Sequence, residues 1–277
     1  MISSVSNPKV KDVTRLQNDR RFRQRKQAFV AEGSRWAMDA AAMQAAPLSV
    51  FVTDDWRNTA IHTDILAQLE ALAQRPSLLV TPQVMAAMSD TTTPPGILLV
   101  LPIQPRPLPA HPSLILILDG IGTPGNLGTM LRTAAAAGAD AVLLAPGCVD
   151  AYNPKVVRGS MGALLRLPVQ ALSWAEIEEV VRDTAVYTAT IDADITYIEV
   201  DWQRPSSLII GSEAHGVSPA ARQLAGGAVA IPMHAATESL NAAVAAGVIL
   251  FEAARQRKQL SAAAHAASLT SESDSPQ

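Results

Sequence analysis

Leu114 to Leu118 reads Leu-Ile-Leu-Ile-Leu, an apolar run without a polar face. Such a run must be covered on both sides, which is how strands inside α/β folds are placed. The residues after it keep the same rhythm. Leu127 to Ala137 reads as a helix, Ala141 to Ala145 as a strand, Val156 to Met161 as helical and Val169 as a short strand. Trp174 to Asp183 reads as a helix, Val186 to Thr190 and Leu208 to Ile210 as strands, and Pro219 to Leu224 as a helix. The strand Val229 to Pro232 then precedes a closing Ala-rich helix, Leu240 to Lys258. Strands alternating with helices in this way predict an α/β domain over residues 113–260. The small, Ser-rich tail 261–277 is expected to be disordered.

A smaller α/β pattern precedes it. Val10 to Arg25 is expected to be helical, Phe29 to Gly33 a short strand with a turn, and Ser34 to Ala46 a helix stopped by Pro47. Strands over Leu48 to Thr53, Leu78 to Val80 and Gly96 to Leu101 alternate with helices at Thr63 to Ala73 and from Pro82. These residues, 1–101, form the first expected domain. Pro102 to Pro112 is rich in proline, hence extended and semi-rigid, and is the expected linker.

The bulk properties narrow the function. Apolar residues at 48% and charged residues at 17% describe a soluble globular chain, and 4% aromatics leave the core to Ala, Leu, Val and Ile. No apolar run is long enough to span a bilayer, and the first residues lack a signal-peptide core, so no membrane partner is expected. The single cysteine, Cys148, excludes an internal disulfide and a cysteine metal cage, and the scattered histidines have no ligand spacing. The expected location is cytoplasmic, with no metal.

Net charge is −3, yet the first 35 residues carry Lys9, Lys11, Arg15, Arg20, Arg21, Arg23, Arg25, Lys26 and Arg35 against Asp12, Asp19 and Glu32. A basic segment on a mildly acidic chain fits a polyanion footprint, and it also fits a solvated helix face.

Ligands of α/β folds sit at the carboxyl ends of strands. Three polar loops follow strands here: Pro124 to Arg132, the stretch after Leu208 ending at Gly216, and the stretch after Ile231 that enters the last helix. Their convergence would make one site. The first overlaps Gly120-x-Gly122-x-x-Gly125, which matches a dinucleotide fingerprint. Pro124 removes one phosphate-binding N–H, Asn126 to Gly128 lengthen the loop, and the next strand ends in Ala145-Pro146 without the ribose-binding acid. A dinucleotide-dependent oxidoreductase is therefore a minor alternative.

Three blocks together resemble the SpoU (TrmH) branch of the SPOUT RNA methyltransferases. They are Asp119-x-Ile121-x-x-Pro124-Gly125-Asn126-Leu127-Gly128-Thr129-x-x-Arg132-Thr133-Ala134, then Ile210-Gly211-Ser212-Glu213-x-x-Gly216, then Ile231-Pro232-Met233 followed by Ser239-Leu240-Asn241. Asn7-Pro8-x-Val10-Lys11 and Phe29-Val30-x-Glu32-Gly33-x-Arg35 are similar to the L30e-like RNA-binding domain that precedes many such enzymes. The resemblance implies an α/β fold: a trefoil-knot SPOUT methyltransferase domain behind a small L30e-like domain. It implies S-adenosylmethionine as cofactor, a homodimer, and methyl transfer to a ribose 2′-OH of ribosomal or transfer RNA. An RNA-binding protein on an inactive SPOUT scaffold is the other alternative.

Carried over position by position, the resemblance makes Arg132 the catalytic arginine, able to hold a phosphate and stabilise developing negative charge. A surface arginine paired with a carboxylate has the same sequence. Glu213 would orient Arg132, or act as an acid at a helix start. Asn126 would fix the loop or the RNA, or be a turn residue. Ser239 and Asn241 would flank the site, and the alternative for Ser239 is a plain cap of the last helix. Gly211, Ile231 and Leu240 would bind the cofactor, Gly211 by permitting close backbone approach. Lys9, Lys11, Arg15, Arg20, Arg21, Arg23 and Arg35 would contact RNA. His215 and His234 occupy positions that vary in the family and are not assigned catalysis. Ala235 stands where the family commonly has Gly, which narrows the third loop.

Overall fold

A computed structural model describes residues 1–234 and 239–273, with side chains through 259. Ala235 lies outside the described residues, as do 274–277 of the tail. The chain forms two compact units, neither continuous in sequence. The first comprises Met1–Arg106, Thr123–Arg132 and Val149–Arg166, and the remainder forms the second.

The first unit begins with helices α1 (Pro8–Asn18) and α2 (Arg20–Lys26). The expected single helix breaks at Asp19, whose backbone is extended and whose carboxylate accepts from Phe22 N at 3.0 Å, capping α2. Then follow β1 (Ala28–Glu32), α3 (Ser34–Ala42), β2 (Ser49–Val52), α4 (Asp54–Arg57), α5 (Thr63–Ala73), β3 (Leu78–Leu79), α6 (Pro82–Met88) and β4 (Ile97–Pro102). Helix α3 stops four residues early because Gln44 turns left-handed, at φ 50°. The sheet order is β1-β4-β2-β3, antiparallel except for β2 with β3. Strand alternation splits its side chains into two cores. Phe29, Ala31, Val50 and Leu99 face one, and Val30, Phe51, Leu98 and Val100 face the other.

The second unit holds β5 (Leu114–Asp119), β6 (Ala141–Leu144), β7 (Val169–Ala171), α10 (Trp174–Val181), β8 (Ala185–Ala189), β9 (Ile195–Thr196), β10 (Ser206–Gly211), α11 (Pro219–Leu224), β11 (Gly227–Ala230) and α12 (Ala242–Ser273). Between β5 and β7 run α7 (Pro124–Ala137), which is shared by both units, and α8 (Pro154–Ser160) and α9 (Ala163–Arg166) of the first unit. The sheet is wholly parallel, in the order β7-β6-β5-β10-β8-β11-β9. Leu114 to Leu118 are fully buried, as a run without a polar face requires. Arg257 fastens α12 to this unit. Its guanidinium donates to the carbonyls of Trp202 (2.7 Å), Ser113 (2.6 Å) and Arg204 (3.1 Å) and to Ser113 Oγ (2.9 Å). The helix continues to Ser273, through most of the segment expected to be disordered.

The expected division at the Pro-rich segment differs from the observed one. Tyr152, Val157, Leu164 and Leu165 pack in the core of Phe29 and Trp36, so residues 149–166 belong to the first unit. The start of α7 joins them through two glycines. A Cβ on Gly128 would come within 3.0 Å of Gly159 Cα and of Val156 O. This motif glycine therefore serves a close helix crossing.

Arg23 is the polar centre of the first unit and corrects an expectation. It was grouped with the RNA-contacting residues, yet its side chain is only 4% exposed. Nε and Nη2 both donate to Asp150 Oδ2, at 3.0 and 2.7 Å. Nη1 donates to the carbonyls of Leu16 (2.7 Å) and Gln17 (3.1 Å) in the last turn of α1. One guanidinium thus caps a helix and neutralises a carboxylate distant in sequence. Removing one partner of a buried pair costs about 3–5 kcal/mol. Arg23→Met is expected to lower unfolding free energy by about that amount in urea titrations, and Arg23→Lys to recover little, because an ammonium lacks the planar fork.

Candidate functional site

A cavity of about 740 Å³ lies at the carboxyl ends of β10, β8 and β11 in the second unit. That size lies within the roughly 300–1,000 Å³ usual for small-ligand pockets. One wall is the loop after β10, with Gly211, Ser212, Glu213 and Gly216. The second is the loop after β11, with Ile231, Met233, Ser239, Leu240 and Asn241. The third is the loop after β8, with Thr190, Ile191 and Asp192. Ile210, Val217 and Val229 make the floor apolar, and Arg222 of α11 also lines it.

The loop after β10 is a tight reversal. Ser212 and Gly216 exchange backbone hydrogen bonds at 3.0 and 2.8 Å, and Gly216 has φ +64°. Ser212 Oγ accepts from His215 N at 3.1 Å. Gly211 was expected to permit approach of a cofactor. What approaches it is the chain itself, since a Cβ there would collide with the carbonyl of Gly216 and the amide of Val217. Glu213 stands exposed on the rim. Below the loop, the buried carboxylate of Asp119 accepts from Ser218 N at 2.6 Å, tying the end of β5 to the start of α11.

At the mouth of α12 the cap is Asn241, whose Oδ1 accepts from Ala243 N (2.9 Å) and Val244 N (3.3 Å). The alternative reading of Ser239 as a plain cap is not met, because Asn241 takes that place. The capping bonds fix the Asn241 side chain where the helix's positive end meets the cavity. Cys148 donates its S–H to the carbonyl of Leu118 at 3.1 Å. Burial, with a smaller contribution from the charge of Asp119, pushes this thiol up, so it stays protonated near neutrality and is no nucleophile.

Of the site residues read from the sequence, Gly211, Glu213, Ile231, Ser239, Leu240 and Asn241 line this cavity. Asn126 and Arg132 lie on α7 within the first unit. Asn126 was expected in a loop ahead of the helix. Leu127 N already donates to Thr123 O at 3.1 Å, so Asn126 sits in the first helical turn. Arg132 is exposed. The loop after β8, with Asp192, was not singled out. Its signal was positional only, as the polar end of a strand in the same sheet. Gly120, Gly122 and Gly125 of the dinucleotide-like run do not line the cavity.

On the first unit, Lys9, Lys11, Arg15, Arg20, Arg21 and Arg35 are exposed. The guanidinium groups of Arg15 and Arg25 lie over the Phe22 ring, 4.1 and 5.1 Å from its centre. Arg35 Nε is 3.2 Å from an Asp39 carboxylate oxygen. Among the described residues no cluster of His, Cys, Asp or Glu could hold a metal ion, and no helix is long and apolar enough to cross a membrane.

The SpoU rRNA Methylase family model matches residues 113–251, and the MRM3-like substrate binding domain matches residues 7–99. The chain is 36% identical to an uncharacterized tRNA/rRNA methyltransferase of Synechocystis sp., covering 92% of this chain and 94% of that one. It is 30% identical to the 23S rRNA (guanosine(2553)-2′-O)-methyltransferase of Bacillus subtilis, covering 90% and 97%. Among solved structures, an rRNA methyltransferase from Sinorhizobium meliloti superposes with a TM-score of 0.82 at 27% identity, over 92% and 96% of the two chains. The AdoMet complex of the SpoU methyltransferase AviRb from Streptomyces viridochromogenes does so with 0.82 at 26% identity, over 91% and 98%. With its two domains matched in order and its parallel-sheet unit like theirs, the chain belongs to the SpoU rRNA methylase family.

Proposed function

We propose that this protein methylates a ribose 2′-hydroxyl of ribosomal RNA, using S-adenosylmethionine held in the cavity at the carboxyl ends of β10, β8 and β11. The observation that carries the reading is the meeting of Gly211, Glu213, Ile231, Ser239, Leu240 and Asn241 around that one cavity. The choice of ribosomal over transfer RNA rests on relatives named as 23S rRNA 2′-O-methyltransferases.

The lining suits the cofactor's chemistry. Ile231 and Leu240 offer apolar faces to a purine, and the carboxylates of Asp192 and Glu213 suit a ligand with cationic groups. Arg222 and the capped start of α12 suit its carboxylate. When bound there, S-adenosylmethionine supplies an electrophilic methyl group on a sulfonium. The chain must then position a poor nucleophile and stabilise the charge that forms as its proton leaves. Arg132 is the group for this. Its guanidinium pairs with the RNA phosphate beside the target ribose and stabilises the nascent alkoxide. Glu213 orients that guanidinium. Asn126, Ser239 and Asn241 hold the surrounding loops and the RNA.

The exposed cations of α1 and α2 supply phosphate contacts along the RNA. The enzyme works in the cytoplasm as a homodimer, and its catalytic domain carries the trefoil knot of the SPOUT class. Supporting the dimer, Leu240, Val244 and Phe251 leave an exposed apolar stripe along the start of α12.

Three outcomes are expected. Arg132→Ala abolishes methyl transfer to ribosomal RNA while calorimetric affinity for S-adenosylhomocysteine stays within about twofold of the parent. Loss of that binding would contradict the role given to Arg132. Replacing Arg20 and Arg21 together by Ala weakens RNA binding at every sequence tested and lowers the slope of log affinity against log salt by roughly two. Phe251→Glu shifts the protein to a monomer in light scattering, and an unchanged mass would remove the stripe as the interface.

A further inference from the structure

The first unit holds a second cavity, of about 200 Å³, apart from the basic face of α1 and α2. Trp36, Val30, Pro95, Pro154 and Val157 form its apolar walls, and Gln17, Glu32, Asp90, Thr91, Thr93 and Arg158 its polar ones. At about 30 Å³ per water the space holds several waters, or one heterocyclic ring.

Its polar groups are unequally satisfied. Glu32 accepts three hydrogen bonds, from Gln17 Nε2 (2.6 Å), Asp90 N (2.9 Å) and Ser89 Oγ. Gln17 Nε2 also donates to Met88 O at 3.2 Å, which fixes the orientation of its amide. The other end of that amide, Gln17 Oε1, has no hydrogen-bond partner, and neither does the indole N–H of Trp36. Both residues are more than nine-tenths buried, and neither atom touches water in this conformation. A buried acceptor and a buried donor left without partners are a standing cost that native folds normally avoid. Both belong to side chains lining one ring-sized space in the unit that matches a substrate-binding domain.

We infer that this cavity receives one unstacked nucleobase of the RNA. Every nucleobase carries a hydrogen-bond donor and an acceptor on its edge, the complement of Gln17 Oε1 and the Trp36 N–H. Neither atom reaches the cavity in the conformation described, so a base seated there must turn both side chains toward it, which for Gln17 exchanges the bonds from Nε2 to Glu32 and Met88. The apolar walls cover the faces of the ring, as in other single-strand readers. Arg158, half-exposed at the rim, uses Nη1 on Asp90 at 2.9 Å and keeps other N–H groups for the attached phosphate. Phosphate contacts on α1 and α2 carry no sequence information, so a base pocket would supply selectivity that they lack. The inference rests on the reading of the chain as an RNA enzyme.

The test uses the full chain saturated with S-adenosylhomocysteine, which removes nucleotide binding at the cofactor cavity. The four tryptophans give four indole N–H resonances, and Trp36→Phe assigns one of them. The protein is titrated with each of the four nucleoside 5′-monophosphates and, separately, with a mixed-sequence single-stranded RNA. The Trp36 resonance should move saturably with at least one nucleotide and with the RNA. Thr93→Phe, at an exposed rim position, should abolish both shifts and leave S-adenosylhomocysteine affinity unchanged. RNA that binds by anisotropy while Trp36 stays still, with RNA and with all four nucleotides, overturns the pocket and leaves the methyltransferase reading intact. Shifts that persist in the Thr93→Phe protein also overturn it. Nucleotides that move Trp36 in a chain that binds no RNA uphold the pocket and sink the RNA-enzyme reading.

Discussion

Strand β10 is hydrogen-bonded along both edges, to β5 from Ser206 to Gly211 and to β8 from Ser206 to Ile209. Its interior residues, Leu208 to Ile210, are buried, so its position is set from four directions. What leaves its carboxyl end inherits that rigidity. Gly211 is the last paired residue, and the reversal that returns at Gly216 starts there. The backbone folds back onto the missing Cβ of Gly211, and the loop presents Glu213 on its exposed outer edge. A site on such a loop needs little ordering when a ligand arrives.

Much of this organisation was legible in the sequence, for reasons that differ by element. Apolar runs without a polar face, such as Leu114 to Leu118, can only be buried strands, and they are. Helix α11 begins and ends where Pro219 and Leu224 predicted, because Ser218 caps it and Pro219 occupies its first turn. The loops after β10 and β11 were found because they end strands of one sheet. The loop after β8 satisfies the same rule, but Thr190 to Asp192 carries no Gly or Pro to mark it. Caps were harder. Ser239 and Asn241 are both good N-cap residues, and only the hydrogen bonds from Ala243 N and Val244 N assign the role to Asn241.

Charge was the least legible property. Arg20, Arg21 and Arg23 are near neighbours with the same side chain, yet two are exposed and one is buried. The difference comes from Asp150, 127 residues away, and from the last carbonyls of α1. A guanidinium is weakly hydrated for an ion and presents several donors in a plane, so it tolerates burial when every face is met. Counting cations along a sequence cannot reveal which one has found such partners. The same blindness applies to Trp36 and Gln17, whose unmet atoms appear only once the fold has closed around them.

The first unit is completed only by Thr123–Arg132 and Val149–Arg166, and this has a bearing on how the protein is made. A chain emerging from the ribosome exposes α1, α2 and the first sheet long before Asp150 and Val157 exist. Until then Arg23 has no carboxylate, and the core around Phe29 and Trp36 lacks one wall. Those contacts close loops of more than a hundred residues, which adds an entropic cost that grows slowly with length. The same logic limits dissection. A fragment ending at Arg106 would carry Arg23 without its carboxylate and would lack one wall of the core around Phe29 and Trp36. The first unit is thus completed only when the segments that interrupt the second unit have been made.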